Sequence, residues 1–247
     1  NFGVPFTLST MSICSIEEVA RNTSKPFWFQ LYVMRDRAFM KRLISRAEAA
    51  QCSALMVTLD LQILAQRHKD VQNGLSAPPK LNLKNFLNIC TKPNWCFQML
   101  KTKRRNFGNI FGHVKGIDDM SSLSDWVTSQ FDPSLDWKDV SEIRSIWDGK
   151  LILKGIMDRE DAIAAVQAGA DAIVVSNHGG RQLDGTISSI DALPRILDVV
   201  GNKCEVWMDG GIRSGQDILR AVALGATGTL IGRAFLYGLG ASGQNGV

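Results

Sequence analysis

Seven short apolar runs, separated by stretches of helical periodicity, constrain the fold of this 247-residue chain more than any other feature. They fall at about Phe6–Ser9, Phe27–Val33, Leu55–Asp60, Leu151–Lys154, Ala172–Ser176, Val206–Asp209 and Thr229–Ile231. Each reads as apolar throughout, the pattern of a strand buried on both faces of a parallel sheet. The intervening stretches carry helix signals. Ser15-Ile16-Glu17-Glu18 is a capping box ahead of a helix reaching Arg21. Ala38–Gln51 is amphipathic and rich in Lys and Arg. Asp158 is an N-cap for Arg159–Ala168, which stops at Gly169. Ile190–Val200 and Gln216–Leu224 each run into a glycine. Strand–helix alternation predicts an α/β fold, a TIM (β/α)8 barrel lacking its first βα unit and its C-terminal end. A doubly wound sheet is the rival, and no GxGxxG follows the first strand to support it. The chain opens at Asn1 without Met and closes on the Gly-rich stretch Gly238 to Gly246, so the expectation is a fragment of a longer protein.

With 45% hydrophobic residues the chain can bury one sizeable core. A single domain over 1–247 is expected, with an insertion or lid at about 61–149, after the strand ending at Asp60. There the alternation fails, and Pro78-Pro79, Trp95 and a basic cluster of Lys101, Lys103, Arg104 and Arg105 appear. The cluster reads either as a solvated face or as attraction to an anionic membrane surface. A formal charge of +4 is too mild for nucleic acid and suits small anionic substrates. The five cysteines, at 14, 52, 90, 96 and 204, form no CxxC pair and no metal-ligand spacing. No metal is therefore expected, and the compartment reads as reducing. Without a run of about 18 apolar residues or a visible signal peptide, the expected location is the cytoplasm, or the inner face of its membrane.

Barrel sites lie at the C-terminal ends of the strands. Here those ends carry Ser9, then Gln30 and Tyr32, Thr58 and Asp60, and Lys154. Next come Ser176-Asn177-His178-Gly179-Gly180-Arg181, Asp209-Gly210-Gly211-Ile212-Arg213, and Gly232-Arg233. Gly210-Gly211 lets backbone N–H groups approach an anion, and Arg213 and Arg233 add charge. Together they read as a phosphate cradle, against the plainer reading that the glycines only turn corners. Lys154 ends an apolar strand, so it must meet an anion or a polar ring edge, a structural salt bridge being the alternative. His178 has two glycines beside it and a fixed charge at Arg181, which favours a base over a structural histidine. His68 and His113 are read as structural.

The segment Ser176 to Asp184 resembles the hallmark of the FMN-dependent 2-hydroxy-acid oxidase and dehydrogenase family, which includes glycolate oxidase, mandelate dehydrogenase and the flavin L-lactate dehydrogenases. Leu8-Ser9-Thr10, Gln30-Leu31-Tyr32, Thr58-Leu59-Asp60, Leu153-Lys154-Gly155, Asp209 to Arg213 and Gly232-Arg233 resemble it too, in the same order. The resemblance implies that Ser9, Gln30, Thr58, Lys154 and Ser176 touch FMN. It implies that Asp209, Gly210, Gly211, Arg213, Gly232 and Arg233 hold its ribityl and phosphate. Tyr32, Arg67, His178 and Arg181 would contact the substrate, and Asp60 would orient His178. Lys154 would stabilise the charge of the reduced flavin. Two departures stand out. Around Arg67, relatives carry a Pro and a Gly where this chain has Gln62 and Ala65. Relatives also have an earlier flavin-contacting strand and an upstream substrate Tyr.

The implied reaction is oxidation of an L-2-hydroxy acid to the 2-oxo acid. L-lactate is the first choice, because the long basic insertion resembles that of bacterial lactate dehydrogenases; glycolate or mandelate with oxygen is the alternative. Quinone, cytochrome or oxygen would serve as electron acceptor, and a homo-oligomer is expected. An inosinate-type dehydrogenase would need a nucleophilic Cys in a Gly/Ser-rich loop, which none of the five cysteines occupies. An inactive, degenerate barrel is the reading from another class, and the set Lys154, His178 and Arg181 argues against it.

Overall fold

The computed structural model describes residues 3–62, 65, 67–74, 82–102, 106–114, 116–117 and 120–247. Pro78-Pro79 and the basic residues Lys103, Arg104 and Arg105 lie outside them. Among the described residues, seven parallel strands stand in chain order in one sheet, each paired with the next. They are β1 (Thr7–Ser9), β2 (Trp28–Tyr32), β3 (Ala54–Thr58), β4 (Lys150–Ile156), β5 (Ala172–Val175), β6 (Glu205–Met208) and β7 (Gly228–Thr229). Parallel neighbours in sequence order, with a helix between most of them, are the (β/α)8-barrel arrangement.

Period two along the strands separates two cores. Phe29, Leu31, Leu55, Val57, Leu151, Leu153, Ile173 and Val175 face the helices and belong to the main core. The alternate positions Ala54, Met56, Ile152, Ala172 and Val174 form a second cluster, closed by Trp28, Trp207 and Leu230. Trp28 on β2 and Trp207 on β6 meet edge-on at 5.4 Å. Two strands four places apart in a sheet can touch only if it curls, so this second cluster is the interior of a barrel wall. The expectation of strands buried on both faces holds for β3 and β5. It is corrected for β1, β2 and β6, whose burial alternates. Their inner positions carry Trp, Gln, Tyr and Ser, which line an inner face that is only partly covered.

The helices are α1 (Ile16–Asn22), α2 (Arg37–Ala49), α3 (His68–Gln72), α4 (Leu83–Cys90), α5 (Pro93–Lys101), α6 (Met120–Ser129), α7 (Trp137–Ile146), α8 (Arg159–Gln167), α9 (Ser189–Val200), α10 (Gly215–Ala223) and α11 (Arg233–Ser242). The capping box at Ser15 and Glu18 and the Asp158 cap form as the sequence predicts. Helices α3 to α7 fall where no regular pattern is legible. Of these, α7 buries Val140 and Ile143 in the main core, with its own capping box at Asp136 and Asp139. The stretch from Gly238, read as glycine-rich chain, is partly helical, since α11 runs through it to Ser242. Asn109, fully buried, accepts from Ile16 N–H at 2.9 Å and donates to the Ser9 and Thr10 carbonyls at 3.3 Å each. One side chain thus ties the end of β1 to the start of α1.

Candidate active site

The strand parity that fills the barrel interior also decides what stands at its mouth. Met56 is followed at the same parity by Thr58 and Asp60, Ile152 by Lys154, Val174 by Ser176, and Trp207 by Asp209. Gln30 Nε2 donates to Thr58 Oγ1 at 2.9 Å. Lys154, only 6% exposed, donates from Nζ to Ser176 Oγ at 2.6 Å and to Asp209 Oδ2 at 2.5 Å. A buried ammonium needs such a partner, so this lysine is fixed at the mouth by a carboxylate from a strand two places along the sheet.

Asp60 and His178, 118 positions apart in the chain, meet with Nδ1 2.9 Å from Oδ1. A carboxylate only accepts, so Nδ1 carries the hydrogen, and in the neutral ring Nε2 keeps a free lone pair. The approach depends on Gly155, where φ is +105° and an added Cβ would lie 2.9 Å from the Asp60 Cβ. His178 has a φ of +57°, in the left-handed region, a conformation costing of order 1 kcal/mol or more for a residue with a side chain. Its N–H donates to Ser176 Oγ at 3.1 Å. Neighbouring Asn177 Oδ1 accepts from Gly180 N–H at 3.2 Å, closing the turn behind the imidazole.

Beside this pair stand the arginines. Arg67 Nη2 donates to Gln182 Oε1 at 3.2 Å, and Arg181 Nη2 lies 3.6 Å from Asp70 Oδ2 on α3. Burial and the charge of Arg181 both lower the pKa of Arg67, which places the two guanidinium groups within each other's field. Burial raises the Tyr32 phenol, and the Asp60 charge adds to this. A hydrogen bond to Ser9 and the charge of Arg67 act the other way. Tyr32, Ser9, Asp60 and Arg67 therefore share one neighbourhood.

The predicted cradle borders a cavity of about 440 Å³, lined by Gly210, Gly211, Arg213, Arg220, Arg233 and the start of α9. Gly210 adopts φ +90° and Gly211 +79°, so both turn in the left-handed region. Arg233 Nη2 donates to the Gly179 carbonyl at 3.0 Å, linking the cradle to the His178 loop. Gly232 precedes α11 at its N-cap. Sequence reasoning missed Ser189. It is 3% exposed, its Oγ has no hydrogen-bond partner among the described residues, and it borders the Gly210 turn. Only the pairing of two distant loops gives it this place, so no local signal announces it. A larger cavity of about 740 Å³ lies around Lys150, Asp171, Lys203 and Glu205, at the opposite ends of the strands.

Among the described residues, three buried side-chain oxygens lack a partner: Asp60 Oδ2, Ser189 Oγ and Asp209 Oδ1. All three stand at this one end of the sheet. Buried polar atoms are nearly always satisfied, so the mouth is built to receive donors from a ligand. The remaining predicted positions, Ser9, Gln30, Thr58, Lys154 and Ser176, lie along the same rim.

A curled parallel β/α sheet with polar side chains at its strand ends and a glycine–arginine turn at its last loops defines a barrel of the (β/α)8 class. The chain belongs to the FMN-dependent dehydrogenase family, whose pattern matches residues 1–247. It is 50% identical over 251 aligned residues to L-lactate dehydrogenase of Haemophilus influenzae (strain PittEE), covering 100% of this chain and 65% of that protein. It is 49% identical to L-lactate dehydrogenase of Actinobacillus pleuropneumoniae serotype 5b (strain L20), with the same coverage. The chain thus spans about 65% of the length of these curated relatives. Among solved structures, the monotopic membrane protein (S)-mandelate dehydrogenase superposes with a TM-score of 0.92 at 34% identity, over 99% of this chain and 64% of that one. A mandelate oxidase superposes with a TM-score of 0.79 at 39% identity, over 99% of this chain and 61% of its own.

Proposed function

We propose that the protein carrying this chain oxidises an L-2-hydroxy acid, L-lactate before glycolate or mandelate, to the 2-oxo acid with FMN as cofactor. The observation that carries the reading is the Asp60–His178 pair at 2.9 Å, set beside two arginines within each other's field. Arg181 and Arg67 bind the substrate carboxylate, the planar guanidinium favouring a two-pronged bond. His178 Nε2 faces the carbon that carries the hydroxyl and takes a proton from the substrate, either from oxygen or from carbon. Asp60 fixes the tautomer and stabilises the imidazolium that results.

The residues present fit FMN. Gly210, Gly211, Arg213, Gly232 and Arg233 would hold the phosphate, and the free Asp209 Oδ1 would accept from the ribityl chain. Ser9, Gln30, Thr58 and Ser176 would line the ring. When bound, FMN accepts the two electrons that leave the substrate. Lys154 holds a fixed positive charge at the rim, where it opposes the negative charge that develops on oxidation. Quinone, cytochrome or oxygen would reoxidise the enzyme.

Rapid mixing of the FMN-loaded full-length protein with L-lactate tests the reading through bleaching of the flavin. We expect reduction with L-lactate and a loss of about 10²- to 10⁴-fold in His178→Gln, the scale of general base catalysis. No bleaching with any 2-hydroxy acid would overturn it.

A second reading concerns location. Helices α4 and α5 leave large apolar side chains in solvent, among them Leu83 (75% exposed), Trp95 (52%), Phe97 (58%) and Leu100 (77%). Exposed apolar groups on these helices, with Lys92 at the N-cap of α5 and Lys101 at its end, suit the plane of a membrane surface. No helix among the described residues is long and apolar enough to cross one.

A further inference from the structure

We propose that Asp70 is a charge-selecting residue, which biases the carboxylate site towards a singly charged anion through its carboxylate beside Arg181. The inference rests on the carboxylate site described under Proposed function and deepens it. The first chain from sequence to geometry is simple. Helix α3 follows Arg67 directly and places Asp70 one turn on. From there its Oδ2 comes within 3.6 Å of Arg181 Nη2. The second is electrostatic. Arg67 and Arg181 repel each other, and the Asp70 charge, with Tyr32, opposes that repulsion at Arg67.

Counting charge then predicts selectivity. Arg67, Arg181 and Asp70 together leave a single positive charge, and the Asp60 charge in the same neighbourhood acts on any ligand with or without Asp70. The charge of the ligand therefore sets how strongly Asp70 opposes it. Both Asp70 and Arg181 side chains are about one-third exposed, so water screens the effect without removing it. An anion seated on Arg181 lies roughly 6 Å from Asp70. At that distance, with an effective dielectric of about 40 to 80, Coulomb's law gives roughly a 3- to 10-fold repulsion per unit charge. A second carboxylate on the same ligand meets this repulsion again. Asp70 therefore acts more strongly against dianions than against monoanions.

The probes are propanoate and malonate, of equal carbon count and differing by one charge at about pH 8. Their binding to the FMN-loaded full-length protein is read by titration calorimetry and by the shift of the flavin absorption band. We expect Asp70→Asn to tighten propanoate about 3- to 10-fold and malonate more, moving the malonate-to-propanoate affinity ratio up by about 3- to 10-fold. Asp70→Glu, which keeps the charge, should return the ratio to that of the unsubstituted protein. If Asp70→Asn changes both affinities by the same factor, in either direction, Asp70 only shapes the loop and the inference fails. If the unsubstituted protein binds neither anion, the carboxylate site itself is wrong, and the inference falls with it.

Discussion

His178 concentrates what a single position contributes. Its φ of +57° is strained for a residue that is not glycine, and that backbone conformation accompanies an imidazole 2.9 Å from Asp60 at the strand ends. Asp60 meets it because Gly155 leaves room that any Cβ would fill. The strand ends and the His178 motif are legible in the sequence, since period two aims Thr58, Lys154 and Ser176 the same way as the interior residues. The contributions of Gly155, Ser189 and Asp70 are not, because each depends on which loops lie side by side. A double substitution tests the dyad. Asp60→Asn keeps the shape and removes the charge, and by analogy with other acid–histidine pairs the loss approaches about 10⁴-fold. His178→Gln alone falls within about 10²–10⁴. The double variant should reduce flavin no more slowly than the worse single one, because the two side chains act as a unit. Rapid-mixing rates that fall by the product of the two factors would show that Asp60 does not work through His178.

Elements with strong end signals were the ones readable in advance. Helices α1, α8 and α9 have capping residues, and their bounds fall within about two residues of expectation. Helices α3 to α6 have no more than 10 residues each and interrupt one another, so no periodicity accumulates. Helix α11 carries Gly238 and Gly240, whose low helix propensity hides it. One inter-element contact makes a pH prediction. Glu17 on α1 binds Arg46 on α2 in two-pronged fashion, Nε to Oε1 at 2.7 Å and Nη2 to Oε2 at 2.9 Å, and Arg46 Nη1 also donates to the Asn109 carbonyl at 3.0 Å. The hydrogen bonds from Arg46 hold the Glu17 pKa down, from an ordinary 4.5 to about 2. A depressed carboxylate stabilises the fold above its unfolded pKa and loses that stabilisation as pH falls from about 4.5 towards about 2. The Glu17 side chain is 41% exposed, so solvent screening reduces the contribution to about 1 kcal/mol. Urea unfolding of Glu17→Gln should show a deficit of that size at pH 7 that shrinks steadily through the acid range. A deficit independent of pH would show that packing, not the ion pair, joins the two helices.

At the scale of the whole molecule, the chain has two faces with different chemistry. The barrel mouth is polar and rimmed by arginine. Helices α4 and α5, in the stretch between β3 and β4, leave apolar side chains exposed, and among the described residues none of theirs joins the core. The Lys101 ammonium lies 4.1 Å from the Phe97 ring centroid, so cation and aromatic sit together on this surface. Burying one such leucine or phenylalanine in a lipid interface is worth up to about 1.5–3 kcal/mol, and nearby lysines add about 1 kcal/mol each near an anionic surface. Several together would hold the protein on a membrane without a spanning helix. The double variant Phe97→Glu, Leu100→Glu puts two negative charges on this face and touches nothing in the mouth. We expect the full-length protein to sediment with phosphatidylglycerol vesicles and less with phosphatidylcholine vesicles, and the double variant to remain in the supernatant with both. Oxidation of L-lactate with a soluble dye as acceptor should be unchanged. Equal sedimentation of the variant and the unsubstituted protein would assign the apolar face of α4 and α5 to something other than lipid.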